Sequence, residues 1–220
     1  MDRFSLVTRN SPMATILRDL SYRYQWLYDG ISRVAALSVG GEGRFRRLAL
    51  EGLTIAPETA VLDLCCGSGQ TTQVLVERSR QVTGLDSSPF SIKRAQQSVP
   101  QAEYVEAFAE AMPFADNHFD LVHTSVAMHE MEPDQRQKIF GEVYRVLKPG
   151  GSFAMVDFHQ PTNPLFVPGV AIFLLLFETE TAWQLLQTDL AETLTAIGFQ
   201  VTKQTLHAGG SLQVIQAQKG

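Results

Sequence analysis

From Ala60 onward the chain alternates short β-rich runs with stretches of helical periodicity, and few folds accept that alternation. A strand that feeds a helix and returns as a parallel neighbour builds an open sheet with helices on both faces. The strand-like runs are AVLDLC (60–65), QVTGLD (81–86), AEYVEA (102–107), FDLVHTS (119–125), GSFAMVDF (151–158), FQVTKQTL (199–206) and SLQVIQAQ (211–218). Apolar residues at helical spacing predict helices over 70–78, 89–97, 133–147 and 188–197. Ser88 before Pro89 reads as a cap with proline in the first turn, and Lys148-Pro149-Gly150-Gly151 reads as a stop. HAGG, at 207–210, suits a tight turn between the last two strands and makes the final one antiparallel. The expected class is α/β, with a doubly wound, seven-stranded mixed sheet.

Residues before Ala60 carry no strand pattern. LRDLSYRYQWLYDGISRVAAL and EGRFRRLALEGL are helical in character, so 1–59 is expected to form a helical extension over the sheet, with 60–220 as the main domain. A net charge of -5 leaves no basic surplus to neutralise phosphates, which argues against a nucleic-acid partner. The N-terminus has an early acid and no apolar core of a signal peptide, so a cytoplasmic location is the expectation. The most apolar stretch, LFVPGVAIFLLLF (165–177), is shorter than the roughly 20 residues of a spanning helix and is interrupted by Pro168 and Gly169. It is read as able to touch a membrane surface, not to cross one.

VLDLCCGSGQTT, at 61–72, closes a strand on Asp63 and a glycine turn. In open α/β sheets the first strand-to-helix turn is where a nucleotide-like ligand lies against bare backbone, and Gly67 and Gly69 would let it approach. The second strand ends in Asp86, where an acid meets ribose hydroxyls. A dinucleotide fingerprint wants a third glycine where Thr72 stands, and no Gly-Lys-Ser/Thr follows for a phosphate loop. Cys65 and Cys66, the two cysteines, are adjacent and lack the spacing of zinc or redox motifs, so no metal site is expected.

Read in order, VLDLCCGSG, TGLDSS, AEAMPFADNHFDLVHTS and YRVLKPGGSFAMVDF resemble the sequential motifs of class I S-adenosylmethionine-dependent methyltransferases, over about 60–158. Within them the chain looks most like the ubiquinone/menaquinone biosynthesis C-methyltransferase family, through LYDGISRVAALSVGGEGRFRRLAL, DLCCGSG and DFHQP. The resemblance implies a Rossmann-like domain, S-adenosyl-L-methionine as cofactor and a small-molecule acceptor. It puts the methionine part near Asp63, Cys65, Gly67, Ser68 and Gly69, and the ribose at Asp86 and Ser87. Ala109 and Glu110 fall beside the adenine, Ser125 beside the donor methyl, and Tyr28 on the segment folding over the cofactor. Phe108 replaces an acid that many relatives carry, and both cysteines read as small packing residues beside the cofactor.

Methyl transfer from a sulfonium needs alignment and exclusion of water more than covalent help. His129 and Glu130 stand where an acceptor would approach, and an imidazole suits deprotonation of a phenol-like hydroxyl. The quinone family usually shows Arg-Asn at that place. His118 and His123 read as structural, the latter as a sheet residue facing a helix. The stretch 161–183 is expected to form a greasy acceptor wall suited to a hydrophobic acceptor such as a quinol. Methylation at oxygen, or cofactor binding without catalysis, stays open as an alternative, and an NAD-dependent oxidoreductase is disfavoured by Thr72.

Overall fold

The computed structural model describes residues 38–177 and 180–220. Seven strands form one sheet: β1 Ala60–Leu64, β2 Gln81–Asp86, β3 Glu103–Glu106, β4 Phe119–Ser125, β5 Leu147–Phe158, β6 Phe199–His207 and β7 Leu212–Lys219. Their order is β3-β2-β1-β4-β5-β7-β6. Pairs among β1 to β5 are parallel, whereas β7 runs antiparallel to both β5 and β6. The helices among the described residues are α1 Glu42–Phe45, α2 Gln70–Val76, α3 Pro89–Ser98, α4 Pro133–Val146, α5 Val167–Phe177, α6 Glu180–Leu186 and α7 Leu190–Ile197. The expected Rossmann-like doubly wound sheet with an antiparallel last strand is therefore the architecture found.

Local chemistry explains most boundaries. Ser88 accepts the Ser91 N–H ahead of Pro89, and Asp189 accepts the Glu192 N–H and so starts α7 two residues later than its periodicity predicts. At the Lys148-Pro149-Gly150-Gly151 stop, the chain leaves α4 at Val146 and enters β5 at Leu147 with no loop between. Gly150, at φ 76, bends the strand there, and the β4–β5 register breaks between Phe119 and Leu121. Proline and glycine therefore kink a strand at this point, where the sequence reads as a connection.

Strands buried on both faces separate two cores. One contains Leu62, Leu64, Ile139, Phe140, Val143, Leu185 and Leu194; the other contains Val61, Leu75, Val82, Leu121, Val156 and Val214. Phe45, Leu48, Ala49 and Leu50 belong to the second core, and Gln216 donates to the carbonyls of Ala49 and Glu51. The described part of the segment before Ala60 is thus short helical turns sealing one face of the sheet. Among the described residues no helix is long and apolar enough to cross a membrane. Leu165, Ile172 and Leu175, on and before α5, are exposed, while Leu174 turns inward.

Candidate active site

Strand order reverses between β1 and β4, and the loops that diverge there leave a crevice at the carboxyl ends of the strands. A cavity of about 480 Å³ occupies it. The turn after β1 contributes Cys65, Gly67 and Ser68 to its wall, and Asp63 reaches it from within the strand. Asp86 and Ser87 come from the end of β2, Ala109 and Glu110 from beyond β3, and Ser125 and Glu130 from beyond β4. Residues from four separate loops therefore converge. Tyr28 lies outside the described residues. Gly69 is set back from the wall: its φ is 89, and an added Cβ would meet Val99 Cγ2 at 3.3 Å and Ala95 Cα at 3.4 Å. Its bareness admits α3.

The turn is held by its own backbone and by Asp86. Cys65 takes φ 55, a conformation uncommon for a residue with a Cβ. The Cys66 N–H donates to Leu85 O, and the Gly69 N–H closes the turn on Cys66 O, each at 3.0 Å. Gly67 and Ser88 N–H groups donate to the two oxygens of Asp86, both at 2.9 Å. Burial raises the Asp86 pKa above the usual carboxylate range, and these two hydrogen bonds oppose that rise. Burial, reinforced by Asp86, Glu130, Asp63 and Glu110, also pushes the Cys65 thiol up, and burial does the same for Cys66. Both are thiols, not thiolates, at neutral pH. Among the described residues no group of three or more His, Cys, Asp or Glu side chains is arranged to hold a metal ion.

Asp63 is 2% exposed. Its Oδ1 accepts from His123 Nδ1 at 2.9 Å and its Oδ2 from Thr72 Oγ1 at 2.6 Å. Thr72, where a dinucleotide fingerprint would have glycine, thus fixes the first acid of the turn. His123 stands opposite Asp63 in the β1–β4 register, and its ring turns along the sheet to that neighbour. Phe108, beside Ala109 on the wall, is 65% exposed.

After β4 the chain makes a 3-10 turn over Met128–Glu130. Asp157, at the end of β5, anchors it: Oδ2 accepts the N–H groups of Ala127 at 3.1 Å and Met128 at 2.7 Å. The other oxygen accepts His129 Nδ1 at 2.9 Å and the Phe158 N–H at 2.8 Å. From α4, the guanidinium of Arg136 donates to Met131 O at 2.8 Å and Met128 O at 3.5 Å. His129 is 2% exposed, with its ring 4.4 Å from that of Phe158, and it sits behind the wall that Glu130 lines. His129 Nε2 is 4.0 Å from Glu130 Oε1. Sequence reasoning missed Asp157 and Arg136, because neither lies near the His-Glu pair in the chain.

A methyltransferase domain model matches residues 61–151. The chain is 58% identical over 205 residues to an uncharacterized methyltransferase of Synechocystis sp., across 93% of this chain and 97% of that protein. It is 31% identical over 162 residues to the demethylmenaquinone methyltransferase of Renibacterium salmoninarum, across 74% of this chain and 65% of that one. Among solved structures it resembles a TehB-like S-adenosylmethionine-dependent methyltransferase of Corynebacterium glutamicum, with TM-score 0.63 at 16% identity, over 94% of this chain and 99% of that one. The geranyl diphosphate C-methyltransferase of Streptomyces coelicolor, solved with S-adenosyl-L-homocysteine, gives TM-score 0.61 at 15% identity, over 81% and 76%. At such identities the structural likeness concerns the fold; the family rests on the sequence matches. Together with a switch-point cavity bearing an acid at the end of each of its first two strands, they make this chain a member of the class I S-adenosylmethionine-dependent methyltransferases, with S-adenosylmethionine as its cofactor.

Proposed function

We propose that the enzyme methylates a small lipophilic acceptor of the quinol type, with the donor seated in the switch-point cavity. The observation that carries this reading is that Asp63, Asp86, Glu110 and Glu130 line one cavity together with Cys65. Such a donor set fits a cation: unit charges near a protein surface attract by several kcal/mol at contact distances. When bound, S-adenosylmethionine supplies an electrophilic methyl group on a sulfonium. Asp86 keeps a lone pair on each oxygen beyond its backbone donors, which suits two ribose hydroxyls with Ser87 beside them. Gly67 leaves its side of the wall open, with only Gln70 Oε1 at 3.8 Å from an added Cβ. Cys65 and Ser68 pack near the methionine part, Ala109 and Glu110 flank the adenine, and Ser125 faces the methyl group.

The acceptor reading rests on the surroundings. Phe158 links the His129 turn to α5, its ring 4.4 Å from His129 and 5.8 Å from Phe173. Beyond Phe173, Leu165, Ile172 and Leu175 present apolar surface to solvent. In this reading 161–183 is the acceptor wall and meets a membrane surface from the cytoplasmic side. In the same reading the segment 1–59 is the cover of the site; residues 1–37 lie outside the described residues, and Arg46, on the cavity wall, supports it. Demethylmenaquinone methyltransferases among the relatives make reduced demethylmenaquinone the first acceptor to try. Incubated with methyl-labelled cofactor and vesicles carrying that quinol, the enzyme should yield a product heavier by one methyl on carbon. Label appearing only on oxygen, or only in water-soluble metabolites, would replace this acceptor class; failure to bind S-adenosylhomocysteine would remove the whole reading.

A further inference from the structure

We propose that Asp157 is a positioning residue for proton removal from the acceptor: it fixes the proton of His129 on Nδ1, so that Nε2, facing cavity-lining Glu130, is the nitrogen that changes protonation. The inference rests on the function proposed above and adds to it the route of the proton released with each methyl transferred. Asp157 is fully buried and is met by four N–H donors, from Ala127, Met128, Phe158 and the His129 ring. A carboxylate surrounded by N–H groups can only accept, so the imidazole must donate through Nδ1. The tautomer follows from geometry. Nε2 then looks toward Glu130 Oε1 at 4.0 Å, beyond a direct hydrogen bond but within the span of a small side-chain rotation.

The turn carrying this pair is clamped from two elements. Asp157 holds its amino end through Ala127 and Met128, and Arg136 holds its carboxyl end through the carbonyls of Met128 and Met131. Among the described residues, the charged groups around His129 are Asp157 on β5, Glu130 on the turn, and Arg136 on α4. Glu180 opens α6, the helix packed on the same turn. Buried cation and buried anion offset one another, and the imidazole sits between two carboxylates. In the step proposed, the acceptor O–H bond breaks and its proton forms an O–H bond on Glu130; a C–C bond forms to the methyl as its C–S bond breaks, and the ring C–H proton then moves to the oxygen to restore the O–H, so one proton in all is released. The proton on Glu130 next forms an N–H bond at His129 Nε2, leaving Glu130 anionic again, and later passes to solvent. No oxidant, metal or further reactant is needed.

The test begins with the intact enzyme labelled with 15N-histidine, whose long-range 15N–1H correlations assign the tautomer without any turnover. Expected is a His129 that keeps its proton on Nδ1 while Nε2 titrates; a neutral ring protonated on Nε2 overturns the proposal. In Asp157→Asn the His129 midpoint should move to lower pH by roughly one unit or more, because the anion that favours the imidazolium is gone. An unmoved midpoint also overturns it. With reduced demethylmenaquinone in vesicles as the probe, Asp157→Asn should lower kcat by about 10- to 100-fold and shift its acidic limb to lower pH. S-adenosylhomocysteine affinity should stay within about threefold. A rate loss matched by an equal loss of that affinity would make Asp157 a mere brace for the fold. Should the variant not fold, the wild-type tautomer and Glu130→Gln decide, since that side chain is 29% exposed and replaceable. An unchanged rate in Glu130→Gln overturns the relay. Wild-type enzyme that binds no S-adenosylhomocysteine defeats the function reading instead, while the histidine spectra still read the tautomer.

Discussion

Replacing Asp86 by alanine removes the one side chain that both ties the glycine turn to β2 and offers an anion to the cavity. Two backbone donors, Gly67 and Ser88, lose their acceptor, each now at 2.9 Å from it. Both border the cavity, so solvent can replace part of what they lose, and the fold should survive. With Asp86 on the ribose as proposed, the cofactor loses more, because hydrogen bonds to a charged partner contribute about 1.5–3 kcal/mol each. A net weakening of about 2–3 kcal/mol corresponds to roughly 30- to 150-fold in Kd for S-adenosylhomocysteine, read by titration calorimetry. The pH dependence gives a second reading. Burial raises the Asp86 pKa, so the folded protein holds this proton more tightly than the unfolded chain does, and the group's contribution to stability falls as pH rises between the two values. Ribose hydroxyls donating to the anion act in the opposite sense. Wild-type affinity should therefore fall as pH drops through the raised pKa, above the range where a free carboxylate titrates, and the alanine variant should lack that fall. A variant Kd within about twofold of wild type, or an acid-side fall kept without the carboxyl, would refute the ribose assignment.

Gly69→Ala should destabilise by about 1–2 kcal/mol, from φ 89 and the contact with Val99, and lower Tm by about 2–4 °C per kcal/mol while S-adenosylhomocysteine affinity holds; a large loss of affinity with unchanged Tm would put Gly69 at the ligand. Cys65 and Cys66 should react slowly with iodoacetamide at pH 8, because burial and nearby carboxylates keep them as thiols; rapid stoichiometric alkylation would contradict this. The double change Cys65→Gly with Cys66→Ala should leave S-adenosylhomocysteine affinity within about threefold, and loss of bound metal on making it would expose a role that packing does not explain. Asp63→Asn should cost about 1–3 kcal/mol in a denaturant melt, since a buried charged acceptor of two hydrogen bonds becomes a neutral amide with one acceptor oxygen, and one partner must reverse its role; an unchanged midpoint would show His123 and Thr72 to be indifferent to it.

The sheet was legible because its central strands, β1 and β4, are buried on both faces and read as apolar runs that break at glycine, proline and acidic residues. Asp63, Cys65, Gly67, Asp86 and Glu110 could be placed together because each stands a fixed step from a strand end. What stayed hidden depends on side-chain direction. Asp157 lies 28 residues from His129, and nothing in DFHQP says that the acid turns toward the His-Glu turn. Thr72 looked like a departure from a glycine pattern, yet its hydroxyl is what holds Asp63. Gly69 shares a motif with Gly67 but answers to Ala95 and Val99, a contact between α2 and α3 that no local spacing reveals. Arg145 reaches Glu142, Asp116 and the carbonyls of Phe114 and Met112, tying down the loop before β4 from a helix the sequence marked only as amphipathic.

The antiparallel strand β7 sits between β5 and β6 and shares its ladders with both. During synthesis, β5 leaves the ribosome with an unpaired edge, and so does β6. Neither gains a neighbour on that side until residues 212–219 emerge to fill the gap. An exposed strand edge is a template for pairing with another chain, and nascent chains paused at this stage leave β5 open on one side and β6 open on both. Premature stops within β7 should therefore reveal themselves as insoluble protein and chaperone-bound nascent chains, well before any question of methyl transfer arises.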